Sequence, residues 1–508
     1  MSKIIKKLLI LLIIFVIPAA AAGQGISPYA KNPLYWQYKG KPILLIGGSD
    51  LDNLFQWDKS VQTWLGESLT THLDILVRVG GNYVRNTMSS RSYTSIGQLL
   101  WNKLPYPFKK VGNLYDLNKW NSVYWQKLKT LLTETQVRGI IVQLEIWDRW
   151  NESGNSNSAN NGWYYSPWNP TNNINYNWSD SNLLSQGYTG FYNLFHTALT
   201  AQDPVLLPYQ QKFVKKIIDT VIDGGFSNVL FQVDNESGIG ENDLEPDPAW
   251  AQYIRNYAAS KGKTVYVGTS RRFQWPFYYQ TTNFQDWNNP EISNVILSSV
   301  FNFNDISQNN GNVGQIQYDN LIWYRNKMIQ NGKQRPINHV KSYYFKWPTG
   351  SDFGKRTNGT DTEAGAKLWR AVFGGAASFR FHRNTPYATI QPGLGLSPLA
   401  QTHIRSMRLL QDKINIYSMI PNNNLLSNRE KDEAYCLFEP TKQIAVYFTG
   451  NGNHSIRLDI SSIGGKKLKF QWLDILSSTW IQYPTMYRGS TATLIAPSSN
   501  PWVVVLRK

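Results

Sequence analysis

Cysteine is almost missing from this chain. Cys436 stands alone among 508 residues, so no internal disulfide can form. The fold must then be held by its apolar core, which a chain this long can make large. Cys436 itself is expected as a small buried apolar residue in a strand. Histidine is scarce, at six residues, with no H-E-x-x-H and none of the clustered Cys/His spacing used by transition-metal sites. No metal and no cofactor is expected; only a calcium site of loop carboxylates and carbonyls stays open. No glycine-rich phosphate loop follows any apolar run, which argues against a nucleotide-binding fold. No G-x-S-x-G elbow is present either. There are no internal repeats, and the Asn/Ser stretch at 153–161 is the one low-complexity segment.

Past the first residues no apolar run is long enough to span a bilayer. The exception is telling. Lys3, Lys6 and Lys7 precede an unbroken apolar run, Leu8–Ile17, and Pro18 leads into Ala19–Ala22. The run is too short for ~30 Å of hydrocarbon and reads as a signal peptide over 1–22 with an A-x-A-like cleavage site. The mature protein is expected to be secreted or periplasmic, soluble, and free of membrane partners. No cysteine lies near the cleavage site, which argues against a lipid anchor. Net charge is +17, or +14 once the three leader lysines are removed. The cations are dispersed, with no dense Lys/Arg tract, so nucleic acid is not expected; an acidic substrate is an open alternative.

Aromatics are abundant: 14% of the chain, with 20 Trp and 29 Tyr, many in polar, Asn-rich segments. Sugar rings offer C–H faces to aromatic rings and hydroxyls to amides and carboxylates, so this composition suits a carbohydrate partner. Large aromatic cores give a similar composition.

From about 40 to 415, apolar strand-like runs alternate with helical patterns. The runs are Pro42–Gly47, Tyr83–Arg85, Ile140–Leu144, Val229–Val233, Thr264–Val267, Val295–Val300, Pro336–Val340 and Ala377–Phe381. Helical stripes fall between them: Leu69, Leu73, Leu76 and Val77; Phe213, Val214, Ile217, Ile218 and Val221; Leu368, Trp369, Val372 and Phe373. Further helices are expected at 120–137, 248–260, 315–330 and 398–414. Eight such strands predict an α/β fold, a (β/α)8 TIM barrel over 23–418. Long loops at 152–205 and 342–361 follow strand ends and carry Trp163, Tyr164, Tyr165, Trp168, Tyr343, Tyr344 and Trp347; their aromatic content favours function. Past 418 short strands at Tyr435–Phe438, Gln443–Phe448, Ser455–Leu458, Leu468–Trp472, Ala492–Ile495 and Val503–Leu506 predict a small all-β sandwich over 419–508, an accessory packed on the barrel.

The chemistry concentrates at strand ends. The fourth run closes as Phe231-Gln232-Val233-Asp234-Asn235-Glu236. Cleaving a glycosidic bond needs a carboxylic acid to protonate the leaving oxygen and a second carboxylate as nucleophile or base. Glu236 fits the acid, and Asn235 a ligand of a sugar hydroxyl. Glu145, after Gln143-Leu144, is a second catalytic candidate, with an ion pair to Arg149 or Arg85 as the structural alternative. Trp147 and Asp148 follow it as substrate ligands. Glu363, at a helix start where acids are favoured anyway, is kept as a third catalytic candidate, and Asp305 is weighed beside it. Asp50 and Asp52 read as loop hydrogen-bonders or substrate ligands. Phe379-Arg380-Phe381-His382-Arg383 closes the eighth run, with His382 a substrate ligand; with Lys341 it makes this side cationic.

These residues resemble the clan of retaining glycoside hydrolases on (β/α)8 barrels that includes cellulases, β-galactosidases and apiosidases. The resemblance covers roughly 40–415. That clan ends its fourth strand in Asn-Glu, the Glu serving as acid/base, which matches Asn235-Glu236; its second-strand Arg supports the nucleophile, which matches Arg85. The seventh strand departs: Pro336-Ile337-Asn338-His339-Val340-Lys341 puts Lys341 where the clan has its nucleophilic Glu. The expectation is a secreted glycoside hydrolase with Glu236 as acid/base and an unassigned nucleophile. The rivals are a carbohydrate-binding barrel without turnover and a lyase for uronic-acid polymers.

Overall fold

The computed structural model describes residues 25–93, 99–148, 151, 161–185, 197–235, 246–269, 293–294, 297–307, 313–343, 360–383, 393–463, 468–487 and 489–507. The leader, Glu236, Arg149, Tyr344, Trp347 and much of the two long loops lie outside them. Among the described residues are eight parallel strands: β1 (Leu45–Gly48), β2 (Tyr83–Thr87), β3 (Ile141–Asp148), β4 (Val229–Asn235), β5 (Val267–Thr269), β6 (Phe303–Asp305), β7 (Ile337–Asn338) and β8 (Ser378–Phe381). Helices α1 (Leu69–Arg78), α2 (Ser122–Val137), α3 (Leu206–Asp223), α4 (Pro246–Ser260), α5 (Gln315–Gln330), α6 (Asp361–Phe373) and α7 (Pro398–Gln411) are set between and after them. No helix among the described residues is long and apolar enough to cross a membrane.

One parallel sheet has the order β7-β6-β5-β4-β3-β2, and β8 pairs with β1 in a second. The first is strongly curled. Its edge strands β2 and β7 bring Tyr83 Oη and Asn338 Nδ2 to 3.2 Å of each other. Gln143 of β3 accepts from both Tyr83 Oη (2.5 Å) and Asn338 Nδ2 (2.9 Å), and donates to Asp305 of β6 (2.8 Å). Backbone bonds run from Asn82 N to Ile46 O (2.8 Å), and from Ala377 N and Arg380 N to Ile337 O and His339 O. Thus β1 is tied to β2 and β8 to β7.

The curled interior is polar where it meets the N-terminus. A three-stranded antiparallel sheet (Ser27–Tyr29, Asn32–Tyr38, Lys41–Ile43) covers it, and Trp36, wholly buried, donates Nε1–H to Asn338 Oδ1 at 2.9 Å. A buried amide needs such a partner. The expected first strand, Pro42–Gly47, divides at Leu44: Pro42 and Ile43 belong to the strand Lys41–Ile43 of the N-terminal sheet, and Leu45–Gly48 is β1.

The helical stripes of α3 and α6 are buried as their spacing predicts, whereas Val77 of α1 is 40% exposed. Caps fix the helix starts: Ser68 Oγ accepts from Thr71 N, Thr360 Oγ1 from Glu363 N and Ser397 Oγ from Ala400 N. The sixth strand is corrected. Ser293, Asn294 and Leu297 are helical, and the strand is the polar Phe303–Asp305. A short, largely apolar run such as Val295–Val300 cannot by itself tell strand from buried helix.

Gly365 sits inside α6, where alanine normally gains about 1 kcal/mol over glycine. Here a Cβ would lie 2.1 Å from His403 Nε2, and that ring is fixed by Trp369 Nε1–H on its Nδ1 at 2.9 Å. Gly365→Ala is therefore expected to destabilise, by roughly 1–3 kcal/mol, measured by denaturant unfolding; a gain in stability would show that α6 and α7 do not pack this closely.

Burial makes His403 hard to protonate, lowering its pKa to about 4. A base depressed in the folded state contributes its full stability above its ordinary pKa near 6.5, and loses it as pH falls toward the folded value. Between pH 6.5 and 4 this residue alone should cost about 3 kcal/mol. His403→Gln, whose amide oxygen can still accept from Trp369, should flatten the fall of stability with pH across that window. An unchanged slope would mean His403 is not held neutral.

The C-terminal residues form antiparallel sheets of six and three strands. Ala434–Glu439, Gln443–Phe448 and Trp502–Arg507 are central to the larger one. Cys436, Val446 and Val504 face the smaller sheet across a second apolar cluster, while Tyr435, Tyr447 and Val503 join the main core under α6. Such strands are buried on both faces, which explains their continuous apolar runs. Cys436 is a free, buried thiol. Thr479–Tyr487, unmarked by a continuous apolar run, is a further strand of the larger sheet.

Candidate active site

A buried charged cluster lies at the carboxyl ends of the parallel strands. Arg85 of β2 is its hub. Its Nε and Nη2 hold Glu145 Oε1 (2.7 Å) and Oε2 (2.5 Å), Nη1 holds Asp52 Oδ1 (2.8 Å), and Nη2 also reaches Asn235 Oδ1 (2.7 Å). Burial opposes the guanidinium charge, but Glu145 and Asp52 raise its pKa above the ordinary value.

Asn235, the last residue of β4, is gripped from three sides. Its Oδ1 accepts from Arg85 and from Lys341 Nζ (2.5 Å), and its Nδ2 donates to Asp148 Oδ1 (2.9 Å). The two cations orient the amide oxygen and Asp148 orients the nitrogen, leaving a second amide hydrogen for another acceptor. Arg91 places Nη2 at 3.1 Å from Asp148 and 3.4 Å from Asp52.

Asp52 gathers the remaining cations. Arg85, Arg91 and Arg383 all pair with it, and His382 Nδ1 lies 3.6 Å away. Burial works against its charge, yet Arg383, with Arg85 and Arg91, holds the carboxyl well below the usual carboxylate range. His382 is the reverse case. Burial, with Arg383 and Arg380 nearby, pushes its pKa well below 6.5 against the pull of Asp52. The imidazole is neutral, accepts from Arg380 Nη1 at Nδ1 (3.3 Å), and so carries its proton on Nε2, which has no partner among the described residues.

Of the residues singled out by sequence, Arg85, Asn235, Asp148, Lys341, His382 and Glu145 come together here. Glu145 does so one layer down. It is wholly buried, both oxygens are taken by Arg85, and Oε1 also accepts from Gln232 Nε2 at 2.9 Å. Burial raises its pKa to about 7 against the pull of Arg85 and Lys341. It holds Arg85 and does not present itself to a substrate.

Two readings are corrected outright. Trp147 does not line the site: it is 1% exposed and packs among Trp168, Phe213 of α3 and Trp250 of α4. The cause is a break in the strand alternation. Glu145 and Gln232 face the interior, and so do Asp148 and Asn235 three residues later, which turns Trp147 outward. Trp163 and Trp168 of the aromatic loop are likewise buried. Glu363 lies apart from the cluster. It pairs with Arg370 (2.7 and 3.0 Å), whose guanidinium also grips Asp432 of the C-terminal region. Its charge serves the junction between the two β regions.

Asp305 is also accounted for, accepting from Gln143 and from Ser307 N. Arg380 braces the loop after β1 through Ser49 Oγ (2.8 Å) and Leu51 O (3.1 Å). Arg91 was not anticipated. A cation just past the end of β2, among Ser89, Ser90 and Ser92, was its one sequence signal.

No family model matches the sequence, and no curated protein matches it. Solved structures do. A glycoside hydrolase family 5 structure from Bacteroides vulgatus ATCC 8482 is 13% identical, over 96% of this chain and 94% of that one, with a TM-score of 0.62. A structure described as a glycoside hydrolase is 12% identical over 96% and 97%, TM-score 0.60. A putative glycoside hydrolase, also from Bacteroides vulgatus ATCC 8482, is 10% identical over 96% and 83%, TM-score 0.59. At these identities the likeness is one of fold: along nearly its whole length this chain is folded as glycoside hydrolase structures are.

Proposed function

We propose that this chain is an exported glycoside hydrolase acting on poly- or oligosaccharide, with Glu236 as its acid/base. In this reading the two parallel sheets close as a (β/α)8 barrel over 23–418, followed by a β-sandwich over 419–508, and the leader 1–22 directs export. The observation that carries it is the setting of Asn235. Arg85, Lys341 and Asp148 fix its amide at the end of β4, and the next residue in the chain is Glu236. A rigid amide beside a carboxylic acid is what protonating a glycosidic oxygen requires, since the sugar must be held while the proton is delivered. His382 Nε2–H supplies a further donor for a sugar hydroxyl.

The second carboxylate is neither Glu145 nor Glu363, for the reasons given above. Past the end of β7 (Ile337–Asn338) stands Lys341, whose ammonium is bonded to Asn235. That contact favours a second reading, a carbohydrate-binding barrel without turnover.

One screen separates the readings. The mature protein is incubated with neutral and uronate-containing polysaccharides, and new reducing ends, ultraviolet-absorbing unsaturated products and binding are measured together. Reducing ends without absorbance support the hydrolase. Binding without products supports the second reading, and absorbance at the new ends would replace both with a lyase.

A further inference from the structure

We propose that Gln232 is a positioning residue: with Gln143 behind it, it closes a ring of buried hydrogen bonds that holds Arg85 and Lys341 on the Asn235 amide. The inference rests on the hydrolase reading, in which that amide holds the sugar beside Glu236. The ring runs bond by bond through the barrel interior. Gln232 Nε2 donates to Glu145 Oε1 (2.9 Å), Glu145 holds Arg85 through both oxygens, and Arg85 Nη2 donates to Asn235 Oδ1 (2.7 Å). Asn235 Oδ1 also accepts from Lys341 Nζ, and the Lys341 backbone N–H donates to Ser307 Oγ (3.1 Å). Ser307 Oγ donates to Asp305, whose Oδ2 accepts from Gln143 Nε2 (2.8 Å). The other Gln143 amide hydrogen goes to Gln232 Oε1 (2.5 Å) and closes the ring. No member is more than 5% exposed.

Strand register places the two amides. Glu145 and Gln232 are paired across β3 and β4, and Gln143 lies two residues before Glu145, on the same face of β3. Direction is then forced. An ionised carboxylate only accepts, so Gln232 turns its nitrogen to Glu145 and its oxygen to Gln143, and Gln143 turns its nitrogen to Asp305. The Gln143 oxygen is left for Tyr83 Oη and Asn338 Nδ2, which both donate to it. The second Gln232 hydrogen goes to Asp234 O (3.1 Å). Both hydrogens of each amide are used in this one arrangement, and flipping either amide sets like atoms against like. Packing alone asks for no such pair, since leucine fills the space without burying polar groups. What the amides add is direction: they pass the fixed positions of Asp305 and Ser307 on to Glu145, and so to the guanidinium of Arg85.

The test replaces Gln232 in the full mature chain, with a substrate found in the polysaccharide screen. Gln232→Leu keeps the volume and removes the amide; kcat should fall about 10²-fold with KM little changed, the usual cost of a small misplacement of reacting groups. Gln232→Glu is the sharper variant. Protonated, its carboxyl donates to Glu145 and accepts from Gln143 as the amide does; ionised, it sets charge against charge. The groups around this pair are Tyr83 and Arg85 of β2, Asp305 of β6, Lys341 past β7 and Arg380 of β8. Two adjoining buried carboxylates do not readily ionise together, so one proton is retained well above the ordinary carboxylate range.

The ratio of the Gln232→Glu kcat to that of the wild type, measured well below each Tm, should therefore be close to one at acid pH and fall toward the leucine value as pH rises. A ratio flat in pH, or a leucine variant that keeps its kcat, would overturn the positioning role while leaving the hydrolase reading intact. The difference in Tm between Gln232→Glu and the wild type needs no substrate and should widen over the same range of pH. A widening difference in a chain that turns over nothing would support the ring and sink only the hydrolase reading. A difference constant with pH would overturn the ring itself.

Discussion

Arg85→Met should lower the stability of the folded protein by about 3–5 kcal/mol. The guanidinium bridges Glu145, Asp52 and Asn235, all nearly or wholly buried. Methionine fills similar volume, so little of the loss comes from packing. What remains is two carboxylates deprived of their shared cation. Asp52 keeps Arg383 and Arg91, but among the described residues Glu145 keeps only the Gln232 amide and the more distant Lys341 charge. Glu145 should then take up a proton at higher pH than its present value of about 7. Arg85→Lys tests the geometry separately from the charge: one ammonium cannot reach three acceptors along a planar fork, so it should recover less than half of the loss. Denaturant unfolding of the three proteins decides the matter. A loss under about 1 kcal/mol for the methionine variant would mean that the cluster is screened by water and that Arg85 is not its hub.

For Glu236→Gln the expected result is kinetic. With a substrate found in the polysaccharide screen, turnover should fall about 10²–10⁴-fold, the usual worth of a positioned general acid. Glutamine preserves shape and the capacity to bond a hydroxyl, so KM should change little. The loss should be smaller for aryl glycosides whose leaving groups need no proton, because acid assistance is then dispensable. That dependence on the leaving group separates an acid from a residue that only binds sugar. Turnover at the unaltered rate would remove Glu236 from the mechanism, and a large rise in KM with constant kcat would make it a binding residue.

Asn235 was legible in the sequence because an apolar run leads to it and it ends its strand, whereas Arg85, read as the end of its run, stands inside β2, which continues to Thr87. Their partners were not equally legible. Arg91 lies past a strand end without a pattern, and its place beside Asp148 and Asp52 depends on how the loop after β2 folds back. Glu145 looked like a reacting carboxylate because a strand-end position does not reveal depth. Its bidentate contact with Arg85 comes from the parallel register that sets Gln143 opposite Arg85 and Glu145 opposite Thr87. Trp147 shows the limit most clearly. Period two places it on the same face as Glu145, but β3 breaks its alternation before Asp148, and no residue type there announces the break.

Glu363 was misread for a related reason. A Thr-x-x-Glu start to a helix is a local signal, and the cap is indeed present, but the side chain turns to Arg370 and through it to Asp432, far along the chain. Contacts between the two β regions leave no local trace.

The sequence by itself determined the alternation of parallel strands and helices, the antiparallel C-terminal region, the burial of Cys436 and the position of Asn235 at a strand end. All of these follow from periodicity, caps and turn residues, which act over a few positions. Only the tertiary structure decided which charges neutralise one another, which aromatics are core and which carboxylates are withdrawn from the face of the site. Coulomb pairing and burial are set by distances between residues remote in the chain, such as the 2.5 Å from Lys341 Nζ to Asn235 Oδ1, and those distances exist only once the sheet has curled.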